Sequence, residues 1–274
     1  MPAPPLTGHC PRLRLADCAE IIQHPRSTEA RKASHVSQEQ SCPNVRSKPW
    51  HRLAIVKELL KADVAKIYAA ARRIASLPDF GDTRAVPLQL DLTDQASVEQ
   101  AAAIAGDVDI LVNNAATLGV TDFITKPLDE LDADMRTNFH DTLRVIRAFT
   151  PALLSRGSGT IVNVVSLSGL VATPPLSAYA ASKAALHSLT QALRMTLKKS
   201  GIDVIGVYPG PVATEMAKDI PLAKASPDHV AANIIKGIAD GETHIFPDPT
   251  ALQMQQLCEN EGRRLEDVVA STLG

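Results

Sequence analysis

From residue 51 onward the apolar positions follow two alternating rhythms. Leu53, Val56, Leu59 and Leu60 recur at the spacing of a helix that begins near His51. VAKIYAAA (64–71) follows as an apolar run of strand length. AVPLQLD (85–91) predicts the next strand, with Asp94 capping a helix that reaches about Ile104. VDILVNN (108–114) predicts a buried strand, and a long helix spans Leu128 to Leu154. GTIVNVVS (159–166) is a further strand, a long helix starts near Ser177, and GIDVIGVYPG (201–210) is a strand running into a turn. A helix from about Pro227, a short strand at THIF (243–246) and a mostly helical tail over 249–274 complete the series.

Strands separated by helices make βαβ units, hence a parallel sheet with right-handed crossovers and helices on both faces. The expected fold class is α/β, a single doubly wound domain over residues 51–248. In such a sheet ligands bind beyond the C-terminal strand ends, so the residues just after each strand carry function. Residues 1–50 follow neither rhythm. They mix Pro, Ser, His, Arg and Cys and are expected to be irregular or disordered, although LRLADCAEII (13–22) could make a short helix or strand.

Composition narrows the function classes. In 274 residues, 28 Lys and Arg stand against 30 Asp and Glu, a net charge of −2 that offers no basic surplus for nucleic acid or an anionic membrane. No apolar run approaches the roughly 18 residues of a membrane span. MPAPPLTGHCPRLR lacks a signal peptide's apolar middle, and a cytoplasmic protein is expected. Of four cysteines, Cys10, Cys18 and Cys42 crowd the first fifth of the chain. Their spacing matches no metal motif, so free thiols and no metal site are expected.

The sharpest candidate chemistry lies in SAYAASKAALHSL (177–189). Tyr179 and Lys183 are four residues apart and share one helical face. A phenol titrates near pH 10, too high for acid-base work at neutral pH; a nearby ammonium favours the phenolate and lowers that value. The pair then suits general acid-base catalysis on an alcohol or carbonyl oxygen. Ser166 ends the strand GTIVNVVS, where its hydroxyl can donate to a substrate oxygen. Taken singly, each has a plainer structural reading: a part-buried Tyr beside a surface Lys, and a loop serine bonded to backbone.

Together with the surrounding motifs, these residues resemble the short-chain dehydrogenases/reductases. The matching pieces are DLTD (91–94), DILVNNAA (109–116), Asn138 in MRTNFHDTLRVI, IVNVVSLSG (161–169), YAASK (179–183) and YPGPVATEM (208–216), in that family's order and spacing. The resemblance implies a Rossmann-type fold and an NAD(P)-dependent oxidoreductase acting on a hydroxyl or carbonyl group of a small molecule. It implies that Tyr179 is the proton donor or acceptor, that Lys183 lowers its pKa and binds the nicotinamide ribose, and that Ser166 orients the substrate oxygen. Asn138 would hold a water linking Lys183 to solvent. The same resemblance assigns Asp91 and Leu92 to the adenine. It implies that Asn114, Ala115 and Ala116 form a turn against the cofactor, with Ala116 in place of the family's glycine. It also implies that Pro209, Gly210, Val212 and Thr214 cradle the nicotinamide and its phosphate.

Arg72 and Arg73 close the strand where NAD-preferring relatives carry a carboxylate. An arginine there suits a 2′-phosphate, so NADP(H) is the expected cofactor. Relatives commonly form homodimers or homotetramers, and the same is expected here. The apolar loop of Leu167, Leu170, Val171, Pro174, Pro175 and Leu176 suggests a hydrophobic substrate.

The family pattern breaks before His51. SCPNVRSKPW (41–50) stands where a strand and then Thr-Gly-x-x-x-Gly-x-Gly are expected, and no glycine occurs between Gly8 and Gly81. Glycines there let backbone approach a pyrophosphate and let the helix pack on the sheet. Pro43 and Pro49 also oppose a central strand. Three readings stay open: a frameshifted or mis-spliced start to a normal enzyme, a non-catalytic pseudoenzyme or scaffold of the same fold, or cofactor binding through an altered loop. LRLADCAEII is the candidate to replace the missing strand.

Overall fold

The computed structural model describes residues 16–17, 20–23, 39–40, 50–119, 123–124, 126–172, 174, 176–218, 220 and 222–260, with side chains from residue 54 apart from 130 and 258–260. The first half of the chain forms β1 (Ala16–Asp17), β2 (Glu20–Gln23), β3 (Glu39–Gln40), α1 (Trp50–Lys61), β4 (Lys66–Ala71), β5 (Ala85–Gln89), α2 (Gln95–Ile104) and β6 (Ile110–Asn113). Next come α3 (Leu128–Met135), a π-helical turn (Arg136–Asp141) and α4 (Thr142–Arg156). The remainder is β7 (Gly159–Val164), α5 (Ser177–Leu197), β8 (Ile202–Val207), α6 (Pro227–Ala239), β9 (His244–Ile245) and α7 (Pro249–Asn260).

The main sheet has the order β5-β4-β2-β6-β7-β8-β9, and β1 pairs with β3 in a separate ladder. β4, β6, β7 and β8 are buried over nearly their whole length, as strands covered by helices on both faces must be. Pro87 falls in the edge strand β5, where a missing N–H is tolerated. α1 packs against α6 on one face, while α2, α4, α3 and α5 pack together on the other. The fold is the doubly wound α/β domain that the alternating pattern predicts. Leu59, Ile67, Leu111, Phe149 and Leu153 are fully enclosed between these layers. Each such side chain contributes roughly 1.5–3 kcal/mol of burial.

The apparent loss of the central strand is corrected by β2. Glu20–Gln23 lies between β4 and β6, pairing Ile22 with Ile67 on one side and with Ile110 on the other. β4 and β6 are buried strands whose inner edges would otherwise expose unpaired N–H and C=O groups, so a strand in this slot satisfies both. β2 is antiparallel to both neighbours, whereas the remaining pairings in the sheet are parallel. Glu20 sits beside Ala69 and Val112, and Gln23 sits beside Lys66. The chain therefore leaves β2 at the N-terminal edge of β4, opposite the edge where ligands bind.

The single long helix expected over 128–154 is interrupted. Its middle widens into the π-helical turn, which carries Thr137, Asn138 and Asp141 inward. Such turns are uncommon within helices and often sit at functional sites. Gly157, at φ 66, ends α4 in the left-handed conformation. Among the described residues no helix is long and apolar enough to cross a membrane.

Candidate active site

Three elements deliver four buried polar side chains to the C-terminal edge of the sheet. Ser166 follows the end of β7, Tyr179 and Lys183 lie on the first turns of α5, and Asn138 lies in the π-helical turn. Exposure is 9% for Ser166, 8% for Tyr179, 1% for Lys183 and 0% for Asn138. Burial of this many polar groups requires partners. Lys183 Nζ donates to the carbonyl of Val164 at 2.7 Å and stands over the Tyr179 ring, 5.8 Å from its centroid. The four-residue spacing thus brings phenol and amine to one face, against the end of β7.

The electrostatics of the pair differ from the expectation. Burial pushes the Tyr179 phenol up to about 12, against a lowering by the hydrogen bond with Ser166 and a further raising by the Asp134 charge. Burial pushes the Lys183 amine down to about 7, against a raising by Asp134. Desolvation disfavours both charged forms, so the phenol is raised where the spacing with Lys183 predicted a lowering. Tyr179 is therefore a neutral phenol across the neutral range.

Asn138 has its side chain committed. Its Oδ1 accepts from the Thr117 N–H at 2.7 Å, and its Nδ2 donates to the Thr117 carbonyl at 3.0 Å and to Ser182 Oγ at 2.8 Å. Ser182 donates in turn to the Tyr179 carbonyl at 2.7 Å. The amide therefore ties the loop after β6 to the start of α5, and a bound water would have to rely on other atoms of this residue.

The remaining expected ligand residues also gather at this edge, in varied states. Arg72 follows β4 and is half-buried. Asp91 accepts from Thr93 N–H at 3.0 Å and from Thr93 Oγ1 at 2.7 Å, and Leu92 is fully buried in the core, which leaves only its backbone for a ligand. Asn114 and Ala116 are half-buried, and Ala115 is buried. Pro209, Gly210, Val212 and Thr214 form the half-buried stretch after β8. The Gly210 N–H donates to Asp248 at 2.8 Å, and a Cβ at Gly210 would lie 2.9 Å from that carboxylate.

A nicotinamide dinucleotide fits one end of this edge. Lys183 carries three N–H bonds as an ammonium, of which one goes to Val164, and the remainder match the vicinal hydroxyls of a ribose. The pyrophosphate end fits less well. β2 leaves by the opposite edge, and the first glycine after Gly8 is Gly81, so no glycine turn links β2 to α1.

Four contributing residues escaped the sequence reading. Asp134, Thr117 and Ser182 are buried polar groups in otherwise ordinary helix or loop sequence. The i, i+4 spacing of Asp134 and Asn138 was the available signal that they share a face. Asp248 caps α7 by accepting from Ala251 N–H at 3.0 Å, and Asp-Pro at a helix start is a legible capping signature.

Comparison with known proteins accords with this geometry. The family model for short chain dehydrogenase matches residues 53–225, and the chain belongs to that family. An uncharacterized oxidoreductase of Staphylococcus aureus (strain MW2) is 28% identical over 207 residues, covering 66% of this chain and 89% of its own length. A ketoacyl reductase, HetN, of Nostoc sp. is 33% identical over 175 residues, 61% of each chain. The crystal structure of a short chain dehydrogenase from Burkholderia cenocepacia in complex with NADP superposes with a TM-score of 0.76 at 29% identity, over 81% of this chain and 93% of that one.

Proposed function

We propose that this chain is an NADP(H)-dependent oxidoreductase that interconverts a carbonyl and a hydroxyl group on a small, largely apolar molecule. The observation that carries this reading is the convergence of Ser166, Tyr179 and Lys183 at the C-terminal edge of the sheet. Bound dihydronicotinamide would supply the hydride. Tyr179, held as a neutral phenol, gives its proton to the carbonyl oxygen as negative charge develops there, and Ser166 Oγ donates to the same oxygen. This favours the reducing direction. Lys183 holds the ribose. Asp91, Asn114, Ala115, Ala116, Pro209, Gly210, Val212 and Thr214 line the remaining path, and Arg72 meets the 2′-phosphate. The NADP-bound Burkholderia structure and the ketoacyl reductase relative support the cofactor and a carbonyl substrate. Leu118, Leu176 and Tyr179 pack together, with Met216 and Ile220 against them, which supports an apolar substrate. We place the protein in the cytoplasm as a homodimer or homotetramer.

Titration of the intact chain with NADPH, followed by cofactor fluorescence, tests the reading: saturable binding is expected, and no binding at about millimolar cofactor ends it. Tyr179→Phe is expected to lose at least about 10²-fold in turnover with cofactor affinity nearly unchanged.

The reversed direction of β2 favours a second reading, a non-catalytic protein that keeps the fold and the buried polar cluster. A glycine turn after a parallel strand is the usual pyrophosphate cradle, and β2 runs the other way. Failure to bind NADPH with a cooperative, folded melt would decide for this second reading.

A further inference from the structure

Asp134 is a buried carboxylate that the chemistry above leaves without a task. It lies on α3, 3% exposed, in a helix whose Asp129 and Asp132 are exposed. Its Oδ1 accepts from Thr117 Oγ1 at 2.5 Å and its Oδ2 accepts from the Gly119 N–H at 3.0 Å. Those two donors flank Leu118, whose side chain packs on Tyr179 and Leu176. The loop after β6 is thus held on both sides of Leu118 by one carboxylate, while Asn138 fixes the Thr117 backbone through both its N–H and its carbonyl. Asp134 also acts electrostatically on both members of the reacting pair.

We propose that Asp134 is a positioning residue for the reaction: as a carboxylate it clamps Thr117 and Gly119, so holding Leu118 against Tyr179, and its negative charge, enclosed in the same buried cluster, favours the Lys183 ammonium. The proposal rests on the reading above only in taking Tyr179 and Lys183 as the reacting pair. An ionised carboxylate has acceptor capacity for both donors and carries no proton to oppose them. An amide can keep both contacts, with Nδ2 donating to Thr117 Oγ1 and Oδ1 accepting from the Gly119 N–H, but it carries no charge, so Asp134→Asn isolates the electrostatic part of the role. The charged and titratable groups that act on one another here are Asp134 from α3 and Tyr179 and Lys183 from α5. Thr117, Gly119 and Val164 contribute the uncharged partners from the loop and from β7.

The test uses the full chain without cofactor, labelled with [13C]lysine, and takes Lys183→Met to assign the Lys183 resonance. Asp134→Asn is expected to lower the midpoint of Lys183 titration by about one pH unit or more, because the enclosed site has little water to screen the lost charge. In Asp134→Ala, which removes both acceptors, amide exchange at Gly119 is expected to quicken by about tenfold or more. Asp134→Glu, which keeps the charge, should return the Lys183 midpoint toward the wild-type value; a packing role alone predicts the reverse order, since Asn is isosteric with Asp and Glu is larger. A folded Asp134→Asn protein with an unchanged Lys183 midpoint overturns the proposal. Should Asp134→Asn fail to fold, Thr117→Val removes one arm of the clamp, and unchanged exchange at Leu118 and Gly119 overturns it instead. These readouts need no NADPH. A shifted midpoint in a protein that binds no NADPH would sustain the role of Asp134 in the pair while removing the proposed reaction.

Discussion

Gly169→Ala probes whether the turn after β7 and the helix bearing Tyr179 are packed as described. Gly169 ends the short turn Leu167–Gly169 and lies against α5 at Lys183. A Cβ added there would stand 2.7 Å from the Lys183 carbonyl oxygen, 2.7 Å from Val165 Cγ1 and 2.9 Å from the Lys183 carbonyl carbon. Ordinary contact begins at 3.4 Å, so the neighbours must yield by 3.4 − 2.7 = 0.7 Å. A carbonyl within a helix cannot swing aside as a long side chain can, so the turn or the start of α5 must move. Forcing an extra methyl into a packed site costs about 1–3 kcal/mol. In a domain of this size that lowers Tm by about 2–10 °C. Thermal melts and urea titrations with an unchanged m-value would measure it. Gly241→Ala is the control: Gly241 has φ +74 and nothing within 4 Å of its added Cβ, so only backbone strain of about 1 kcal/mol is expected. A Gly169→Ala protein that melts within about 1 °C of wild type would refute the close seating of α5 on this turn.

Lys183 also marks the pH dependence of stability. Its folded value is about 7 against 10.5 ordinarily, so the unfolded chain binds more protons between those values and the group's contribution to stability grows as pH rises through that window. Lys183→Met should abolish that rise, and identical pH slopes in the two proteins between about pH 7.5 and 9.5 would count against it. Tyr179 acts oppositely above about pH 10, where the unfolded chain loses its phenol proton first. Leu153→Ala, at a fully buried position in α4, should cost about 2–5 kcal/mol in urea unfolding. Asn163→Val should cost about 1–3 kcal/mol, because Asn113 Nδ2 loses its 2.9 Å acceptor and Thr190 Oγ1 its 2.9 Å donor.

How much was legible depended on the range of the interaction that sets each feature. The alternation of Leu53–Leu60, VAKIYAAA and the later runs was enough for the doubly wound domain, since period and burial are local properties of a strand or helix. The spacing of Tyr179 and Lys183 likewise foretold a shared face, because one helical turn fixes it. β2 was harder. EIIQ is four residues long in a stretch without periodicity, and its place between β4 and β6 is decided by two strands more than forty residues further along the chain. Its direction left no local trace at all. The raised phenol and lowered amine were also unreadable, because burial is a sum over every element that closes on the pair.

Sequence alone therefore determined the order of elements from residue 51, the candidate acid-base pair Tyr179 and Lys183, and the lack of a glycine turn ahead of α1. Tertiary structure decided which groups lost their water, which carboxylate was buried in the same cluster as Lys183, and which way the central strand runs. Local rules act along one element, whereas desolvation and strand pairing are settled only when distant segments meet.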